Sequence, residues 1–448
     1  MSGRRAIRRL RDATPETAEV LDDTPEGHGI ASIDGKRVFI AGALRGETVS
    51  LRRVSSRRNY DEAQLLAINA ASAERTEPRC EAFGRCGGCA LQHLTAAAQL
   101  RLKERALLEA LRRIGGVAPA RVLPAVAGPS WAYRRRARLA VRHVAGKGRV
   151  LVGFSERASS RIAEMSRCET LHPAVAQLPG ELAALIGGLA LHDRIPQVEV
   201  AVGDNAIALV FRVLVQPGEA DLAMLRAFRD RCRVQVLLQS GGPGCVTPLD
   251  AGVDDRELWY TIGDPPLRMC FGPTDFIQVN AAINERLVAL ALELLQPNPA
   301  SRVLDLYCGI GNFSLPLAQR GAYVLGLEGD PAMTARARHN AQLNGIEQAE
   351  FRVADLGAPD ACGAMLAAAP GFDAALIDPP RAGAAAVLPF LAASGVRRIL
   401  YVSCHPATLA RDCGALITNL GYRLSAAGVL DMFPHTSHSE SVALLERD

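Results

Sequence analysis

This chain of 448 residues has little net charge, few cysteines and no long apolar run. No stretch of about 18 apolar residues is free of charges and helix breakers, so the sequence predicts no membrane-spanning helix. The basic start is not followed by the apolar run that a secretory signal needs. Eleven cysteines are too few for a disulfide scaffold at this length, and we expect a cytoplasmic protein with reduced thiols.

The formal net charge of +4 hides an uneven distribution. Residues 281–448 hold 12 Arg and 16 Asp+Glu, a net charge of −4, which leaves +8 for residues 1–280. Guanidinium groups suit phosphate binding and base stacking, although a solvated arginine-rich face is the alternative explanation. Three arginine runs carry much of the basic charge: Arg4, Arg5, Arg8, Arg9 and Arg11; Arg45, Arg52, Arg53, Arg57 and Arg58; Arg134, Arg135, Arg136, Arg138 and Arg142.

The length predicts two to four domains. Residues 13–71 read as five short strands with a turn at Asp34-Gly35, which predicts a small OB-like β-barrel of a kind that often binds oligonucleotides. Residues 72–270 combine a cysteine group, a helix over 96–114 and further strands, which predicts a central α+β domain. That helix can pack on the domain that follows, which covers residues 271–448.

The last domain alternates strands and helices from RVLDLY, through YVLGLE and RILYVS, to PATLARDCGALITNL. This alternation predicts an α/β fold, with a parallel sheet and crossover helices. Ligands of such sheets bind at the carboxyl ends of the strands, so the residues at those ends are the candidates for chemistry.

Glycines and acids stand at the predicted strand ends. The first strand is followed by Gly309-Ile310-Gly311, without the third glycine of the dinucleotide fingerprint. Glu328 can accept hydrogen bonds from both ribose hydroxyls, Asp355 can reach an adenine amino group, and Asp378 ends the fourth strand. The set resembles the class I, Rossmann-like S-adenosylmethionine methyltransferases more than dehydrogenases; an unrelated sheet with ordinary turn glycines is the alternative.

The residue after Asp378-Pro379-Pro380 is Arg381. An aromatic side chain at this position would indicate methylation of an exocyclic amino group, because it would stack on the base. The arginine argues against amino methylation and leaves transfer to carbon open.

Cys404 ends the fifth strand immediately before a helix, where the helix dipole favours a thiolate. Methylation of uracil at C5 needs such a nucleophile, because C5 becomes reactive only after addition at C6. A base must then remove the C5 proton, and Glu440 is the candidate. An inert buried thiol is the alternative. His405, His435 and His438 lack the spacing of metal ligands and are interpreted as surface or packing residues.

The segments SCHPATLARD, FIQVN, DLYCGIGNF, DPPR and HSES resemble the RNA uracil-C5 methyltransferases, and the resemblance covers essentially the whole chain. It implies that Cys404 is the nucleophile and Glu440 the proton-abstracting base. It also implies that the cofactor and the target base are lined by Gln278, Tyr307, Asn312, Glu328, Asp355 and Asp378. Tyr307 stands where phenylalanine is frequent in the family, and His405 where asparagine is frequent.

Cys80, Cys86 and Cys89 form a C-x5-C-x2-C pattern, and Cys168 is the candidate fourth ligand. Four thiolates suit tetrahedral zinc or an iron–sulfur cluster, and spacing alone does not decide between them. The family resemblance implies a [4Fe-4S] cluster, for which we expect a structural or RNA-positioning role. The other cysteines are interpreted as packing thiols: Cys232, Cys245, Cys270, Cys308, Cys362 and Cys413.

The predicted barrel resembles a TRAM domain. Barrel and cysteines together resemble the family branch that methylates one uracil of bacterial 23S rRNA, a U1939-type site, which implies 23S rRNA as partner and S-adenosyl-L-methionine as methyl donor. The target uracil must be unstacked for Cys404 to reach it, the arginine runs would hold the surrounding backbone, and we expect a monomer. A tRNA uracil-C5 methyltransferase and a non-catalytic RNA-binding iron–sulfur protein are the alternatives; Cys404, Asp378 and Glu440 argue against the latter.

Overall fold

The computed structural model describes residues 8–9, 13–242, 244–358 and 371–448. Of the residues singled out above, Arg4, Arg5, Arg11 and Cys362 lie outside this part, and only the backbone of Arg8 and Arg9 is described. The N-terminal strands are β1 (Arg8–Arg9), β2 (Glu16–Glu19), β3 (Asp22–Asp23), β4 (His28–Ile33), β5 (Lys36–Ala41), β6 (Thr48–Ser56) and β7 (Tyr60–Ala70). They form one curled sheet in the order β1-β6-β7-β5-β4-β3.

One segment closes this curled sheet. Its first part, β2, pairs with β6, and its second part, β3, pairs with β4 at the opposite side of the sheet. The enclosed side chains form a small core that includes Val20, Ile40 and Leu51. At the hairpin between β4 and β5, Asp34 and Gly35 both have positive φ, 53° and 74°, as a two-residue hairpin turn requires. The predicted hairpin is confirmed.

The central sheet follows a helical segment. Helix α1 (Ala96–Ala110) begins at Thr95, whose hydroxyl caps it, and ends in a π-turn over Leu111–Gly115. The central strands, in the sheet order β10-β9-β11-β12-β13-β14, have α2 (Leu178–Gly188) and α3 (Glu219–Cys232) packed against them. Their bounds are β9 (Arg136–Val144), β10 (Arg149–Gly153), β11 (Gln197–Val202), β12 (Ile207–Arg212), β13 (Gln235–Gln239) and β14 (Val246–Pro248).

The third sheet has eight strands, most of them from the C-terminal half. They are β8 (Arg121–Val122), β17 (Arg302–Leu306), β18 (Tyr323–Glu328), β19 (Ala349–Val353), β20 (Ala374–Ile377), β21 (Arg398–Ser403), β22 (Arg423–Leu430) and β23 (Glu440–Glu446). The order is β19-β18-β17-β20-β21-β23-β22-β8, and β17 to β21 pair in parallel. The predicted α/β alternation is confirmed for these five strands.

Helices cover this sheet. They are α4 (Ala281–Leu295), α5 (Ser314–Gln319), α6 (Pro331–Leu343), α7 (Leu388–Ala393) and α8 (Pro406–Leu420). A hairpin of β15 (Leu258–Ile262) and β16 (Leu267–Phe271) shares a core with α4 and β17. In the described part of the chain, no helix is long and apolar enough to cross a membrane.

Residues 96–126 join the C-terminal sheet, although they precede the central sheet in the chain. Leu107 and Leu111 lie in one core with Tyr401 and Leu409, and β8 pairs in parallel with β22. Helix α1 therefore packs beside α8. The division of the chain into 13–71, 72–270 and 271–448 stays a prediction.

Candidate active site

The turn between β17 and α5 has an unusual backbone. Tyr307, Gly309 and Gly311 have φ values of 64°, 56° and 90°, in the left-handed region that glycine adopts most readily. A Cβ on Gly311 would lie 3.2 Å from Leu315 and 3.4 Å from Phe351, so the position has little room for a side chain. The turn thus bends the backbone sharply at the carboxyl end of β17, where the sequence predicts the ligand site.

Glu328 holds the neighbouring loop to this turn. Its Oε2 accepts a hydrogen bond from the Gly309 N–H at 3.1 Å, and its Oε1 accepts one from the Asp330 N–H at 3.0 Å. The carboxylate is half-buried at the end of β18. Glu328 therefore shapes the turn through its own hydrogen bonds, and it lies where the sequence predicts a ribose-binding acid.

The other predicted cofactor residues have different settings. Asp355 is exposed beyond β19 and accepts a hydrogen bond from the Gly357 N–H at 2.9 Å. Gln278 is half-buried in the segment between β16 and α4. Asn312 is engaged by two neighbours, because its Oδ1 accepts hydrogen bonds from the Tyr260 hydroxyl and the Asn284 amide, both at 2.9 Å.

Two carboxyl groups at adjacent strand ends are hard to ionise. Burial raises the pKa of Asp305 to about 7, and the carboxylates of Asp378 and Glu328 act in the same direction. The Ser314 hydroxyl donates a hydrogen bond to Asp305 and partly offsets this shift. Burial also raises the pKa of Asp378 to about 7. A cationic ligand beside Asp378 would stabilise the ionised carboxylates.

Cys404 and Glu440 face each other across two neighbouring strands. The last register pair between β21 and β23 is Ser403 with Ser441; Cys404 directly follows β21, and Glu440 is the first residue of β23. Asp378 follows β20, the strand on the other side of β21. The sheet topology therefore brings the predicted nucleophile, the predicted base and Asp378 to one edge.

The electrostatics at Cys404 differ from the prediction. A helix-start position predicts a favoured thiolate, but burial and the nearby Glu440 raise the pKa of the Cys404 thiol. The guanidinium of Arg381 acts in the opposite direction without reversing the shift. Burial, followed by the carboxylate of Asp378, raises the pKa of Glu440 well above its ordinary value. Both groups are thus neutral over a wider pH range than in water.

The three histidines that the sequence analysis considered lie in different environments. His405 caps α8, where its Nδ1 accepts a hydrogen bond from the Thr408 N–H at 3.3 Å. His438 lies 3.3 Å from the Arg381 guanidinium, and His435 is buried. The interpretation of His405 as a surface residue agrees with its exposure. His438 is also exposed and contacts Arg381, which lies beside Cys404, whereas the buried His435 stacks on Trp131 as a packing residue.

Asp412 is a residue that the sequence reading did not single out. Its buried Oδ2 accepts hydrogen bonds from the Tyr401 hydroxyl at 2.7 Å and from the Ala384 N–H at 2.8 Å. It thereby ties α8 to β21 and to the loop that follows Asp378. Asp412 is the last residue of the SCHPATLARD segment, so the family resemblance included this position.

The four cysteines of the predicted cluster line one cavity. Cys80, Cys86, Cys89 and Cys168 contribute to its wall together with Tyr133 and Thr436. The Gly88 N–H donates to the Cys86 sulfur at 3.3 Å, and the Cys168 sulfur lies 3.3 Å from the Thr170 hydroxyl. Burial raises the pKa of Cys89 to about 12, so this thiol stays protonated unless a cation lies beside it.

The remaining cysteines are mostly packing thiols, as predicted. Cys270, Cys308 and Cys413 are buried and Cys232 is partly buried. The prediction was wrong for Cys245, which is exposed in the loop before β14. Cys270 lies close to Glu257 and His339. The negative charge of Glu257 is compensated by the Arg336 guanidinium at 3.1 Å.

The arginine runs are only partly available to a nucleic acid. Exposed members are Arg45, Arg52, Arg57, Arg58, Arg138 and Arg142. Arg53 instead pairs with Glu16 at 2.8 Å, and Arg135 pairs with Asp204 at 2.5 Å. The expectation that each run holds RNA backbone is therefore too broad, since several guanidinium groups satisfy internal carboxylates.

Comparisons with known proteins give consistent matches. A family model described as tRNA (Uracil-5-)-methyltransferase matches residues 98–448. Two relatives named 23S rRNA (uracil(1939)-C(5))-methyltransferase RlmD are similar along nearly the whole chain. The protein of Thiobacillus denitrificans is 51% identical over 96% of this chain and 99% of its own length. That of Methylococcus capsulatus is 46% identical over 99% of this chain and 100% of its own.

A solved structure shares the fold. It is the tRNA (uracil-54, C5)-methyltransferase of Pyrococcus abyssi in complex with S-adenosyl-L-homocysteine, with a TM-score of 0.68 and 23% identity. The match covers 96% of this chain and 100% of that one. The Rossmann-like class predicted from the strand ends is confirmed by this likeness.

Proposed function

The chain belongs to the tRNA (Uracil-5-)-methyltransferase family, and on this basis we propose that it transfers a methyl group from S-adenosyl-L-methionine to C5 of a uracil in 23S rRNA. The observation that carries the proposal is the placement of Cys404 and Glu440 one step beyond the Ser403–Ser441 register pair, with Asp378 beside them. This edge of the sheet presents a nucleophilic thiol and a proton-abstracting carboxylate to one bound uracil.

The chemistry of uracil requires both groups. The Cys404 thiolate adds to C6, which places the electron pair on C5 and its enolate. C5 then attacks the methyl group of S-adenosyl-L-methionine, the sulfur–methyl bond breaks, S-adenosyl-L-homocysteine leaves, and C5 becomes tetrahedral. Glu440 removes the C5 proton, the C5–C6 double bond re-forms, and the sulfur–C6 bond breaks to return the thiolate. Bonds and electrons balance without an external oxidant or reductant.

The pKa shifts are consistent with these roles. A carboxylate whose pKa is raised by burial is a stronger base, and Glu440 must take a proton from carbon. The raised pKa of the Cys404 thiol makes the thiolate scarcer but more nucleophilic. Arg381 is the cation that opposes this shift, so it favours the ionised sulfur.

S-adenosyl-L-methionine supplies the methyl group as a sulfonium. We propose that Glu328 and Asp355 hold its nucleoside, at the ends of β18 and β19. The carboxyl group of Asp378, whose pKa is raised to about 7, suits its positive charge. The same proposal places Gln278, Tyr307 and Asn312 around the donor and the target base.

The favoured RNA is 23S rRNA. The relatives that carry this substrate in their names align with 96–99% of the chain, which includes the N-terminal barrel and all four cluster cysteines. The family model, whose description names tRNA, begins at residue 98 and leaves out the barrel and Cys80, Cys86 and Cys89. A tRNA substrate is therefore the second candidate.

We further propose that the N-terminal barrel is a TRAM domain that binds RNA and that the cysteine cavity holds a [4Fe-4S] cluster. Exposed Arg45, Arg52, Arg57 and Arg58 on the barrel support the first. The cavity that Cys80, Cys86, Cys89 and Cys168 line together supports the second. These residues would hold the cluster through four thiolates.

One experiment tests the reaction and its substrate. The protein is incubated with labelled S-adenosylmethionine and either a 23S rRNA fragment or tRNA, as wild type, Cys404→Ala and Glu440→Gln. We expect label in rRNA with wild type, none with Cys404→Ala, and an SDS-stable protein–RNA adduct with Glu440→Gln because elimination is blocked. Label in tRNA alone would show that the substrate is tRNA, the second candidate. Turnover by Cys404→Ala would exclude the covalent mechanism.

A further inference from the structure

The segment between β22 and β23 delivers Glu440 to the active site, and residues from the N-terminal half hold it in place. It runs from Asp431 to Ser439, and Glu440 is the first residue of β23. Its hydrogen-bond partners include residues 90, 91, 99, 103 and 133, about 300 or more positions earlier in the chain. We call Gln99, Lys103 and Tyr133 the clamp residues.

The start of the segment is fixed by two clamp residues. Lys103 donates from Nζ to Asp431 Oδ1 at 2.6 Å and to the Phe433 carbonyl at 2.9 Å. Both members of this ion pair are buried. The buried Tyr133 hydroxyl donates to the Pro434 carbonyl at 3.0 Å.

The middle of the segment is fixed at His435. Gln99 accepts a hydrogen bond from the His435 N–H at 2.8 Å, and its amide lies 3.1 Å from His435 Nδ1. The N–H groups of Ala90 and Leu91, next to Cys89, donate to the His435 carbonyl at 2.8 and 3.0 Å. Trp131 stacks on the imidazole ring.

His435 needs this support. Its φ is 67°, in the left-handed region that residues other than glycine rarely adopt. A backbone held there persists only where its surroundings determine it several times over. Removal of clamp contacts therefore frees the segment to adopt another path toward Glu440.

We propose that Gln99, Lys103 and Tyr133 are positioning residues that set Glu440 for removal of the C5 proton. The proposal rests on the proposed function and adds that the last step, removal of the C5 proton, depends on these three residues. Cys404 lies between β21 and α8, so its backbone is anchored outside this segment, and the segment reaches it only through the contact of His438 with Arg381. Glu440 directly follows the segment and depends on its path. Loss of the clamp should therefore impair elimination while addition and methyl transfer continue.

The test separates these steps with two RNA substrates. On RNA that carries 5-fluorouracil at the target, the C5 fluorine cannot leave as a proton, so the rate of adduct formation measures addition and methyl transfer alone. On the ordinary uracil RNA, turnover also requires proton removal. The variants are Tyr133→Phe, Gln99→Met and the double variant Lys103→Met with Asp431→Asn, which leaves no unpaired buried charge.

We expect each variant to form the 5-fluorouracil adduct at a rate within twofold of wild type. On uracil RNA, turnover should fall at least fivefold and an SDS-stable adduct should accumulate. The control is Arg101→Met, on the same helix, which removes an ion pair with Glu74 and contacts none of residues 431–439. It should behave like wild type in both assays.

Two results would overturn the positioning role: a parallel fall in both rates, or unchanged turnover without adduct. Tyr133→Phe removes only one hydroxyl and decides the matter if the other variants have lower thermal stability. Failure of wild type to form either product would instead overturn the proposed function, and the positioning role with it.

Discussion

Cys404 ionises beside two carboxyl groups and one guanidinium. Burial and Glu440 raise the pKa of its thiol, and Asp378 adds to the shift, whereas Arg381 lowers it. The thiolate fraction at neutral pH therefore depends on opposing influences, among which the Arg381 guanidinium favours the thiolate. This arrangement makes the addition step sensitive to pH and to the charge at position 381.

The first prediction concerns this balance. The thiolate fraction of Cys404 grows as pH rises, and its raised pKa extends this growth to high pH. The rate of adduct formation on 5-fluorouracil RNA should therefore increase from pH 6 to pH 9. Arg381→Met should move the rise to higher pH and lower the rate at pH 7 by about tenfold, the equivalent of one pKa unit. Arg381→Lys keeps a positive charge and should retain most of the rate. A profile independent of pH, or one that Arg381→Met leaves unchanged, would contradict the assigned role.

At the scale of elements, the contact between the π-turn after α1 and helix α8 is unusually close. A Cβ on Gly414 would lie 2.7 Å from the carbonyl oxygen of Gly115, and a Cβ on Gly115 would lie 2.4 Å from that of Ala410. Backbone cannot yield as a flexible side chain can. The two glycines therefore set the distance at which α1 and its π-turn pack on the C-terminal sheet.

A pair of glycine substitutions tests this packing. Gly414→Ala should destabilise the protein by about 1–3 kcal/mol, because it forces backbone apart in a packed contact. Gly187→Ala, in α2, meets no atom within 4 Å and should stabilise by about 0.5–1 kcal/mol through helix propensity. Urea unfolding of both variants gives the two free energies of unfolding. Equal effects of the same sign would show that the close contact is not a constraint.

The sequence predicts those elements whose signal is local. The strands RVLDLY, YVLGLE and RILYVS are recognisable because buried parallel strands read as continuous apolar runs between helices. The two-residue strand β8 is too short to give a pattern, and its pairing with β22 depends on contacts across 300 residues. Gln99 and Lys103 are equally hard to interpret, since polar residues four apart on a helix are usually solvated.

The candidate site was predictable to a similar degree. The register of β21 and β23 brings Cys404 and Glu440 together, as chemistry alone demanded. The direction of the Cys404 pKa shift was not predictable, because it depends on burial and on two carboxyl groups supplied by other strands. The local sequence indicated only that Cys404 stands at the start of a helix.

At the scale of the whole molecule, the N-terminal barrel is fastened to the rest by a buried ion pair. Glu47 in the barrel is fully buried and pairs with Arg75 at 2.6 Å, and it also accepts the N–H groups of Leu44 and Ser72. Burial raises the pKa of Glu47, but hydrogen bonds from Arg75 and the backbone outweigh it and hold the pKa below its ordinary value. Its stabilisation is thus present above the unfolded-state pKa and is lost as pH falls.

Removal of one partner should detach the barrel. Arg75→Met leaves the Glu47 carboxylate buried without its cation and should cost about 3–5 kcal/mol. We expect faster proteolysis between the barrel and α1, and weaker binding of the rRNA fragment. Arg101→Met, which removes the neighbouring solvent-exposed pair with Glu74, should cost less than about 1 kcal/mol. Thermal unfolding and limited proteolysis measure both. Comparable losses in the two variants would argue against a special role for the buried pair.

The short strand β8 has a consequence for how this protein can be divided. It covers the outer side of β22, which would otherwise be the open edge of the C-terminal sheet. An uncovered edge strand offers unpaired N–H and C=O groups to any other extended chain and is a site of aggregation. A fragment cut at the predicted boundary near residue 271 would lose β8 and also uncover the apolar surface beneath Leu107 and Leu111. Residues 96–126 thus shield the sheet from self-association, so a self-sufficient C-terminal unit has to carry them along.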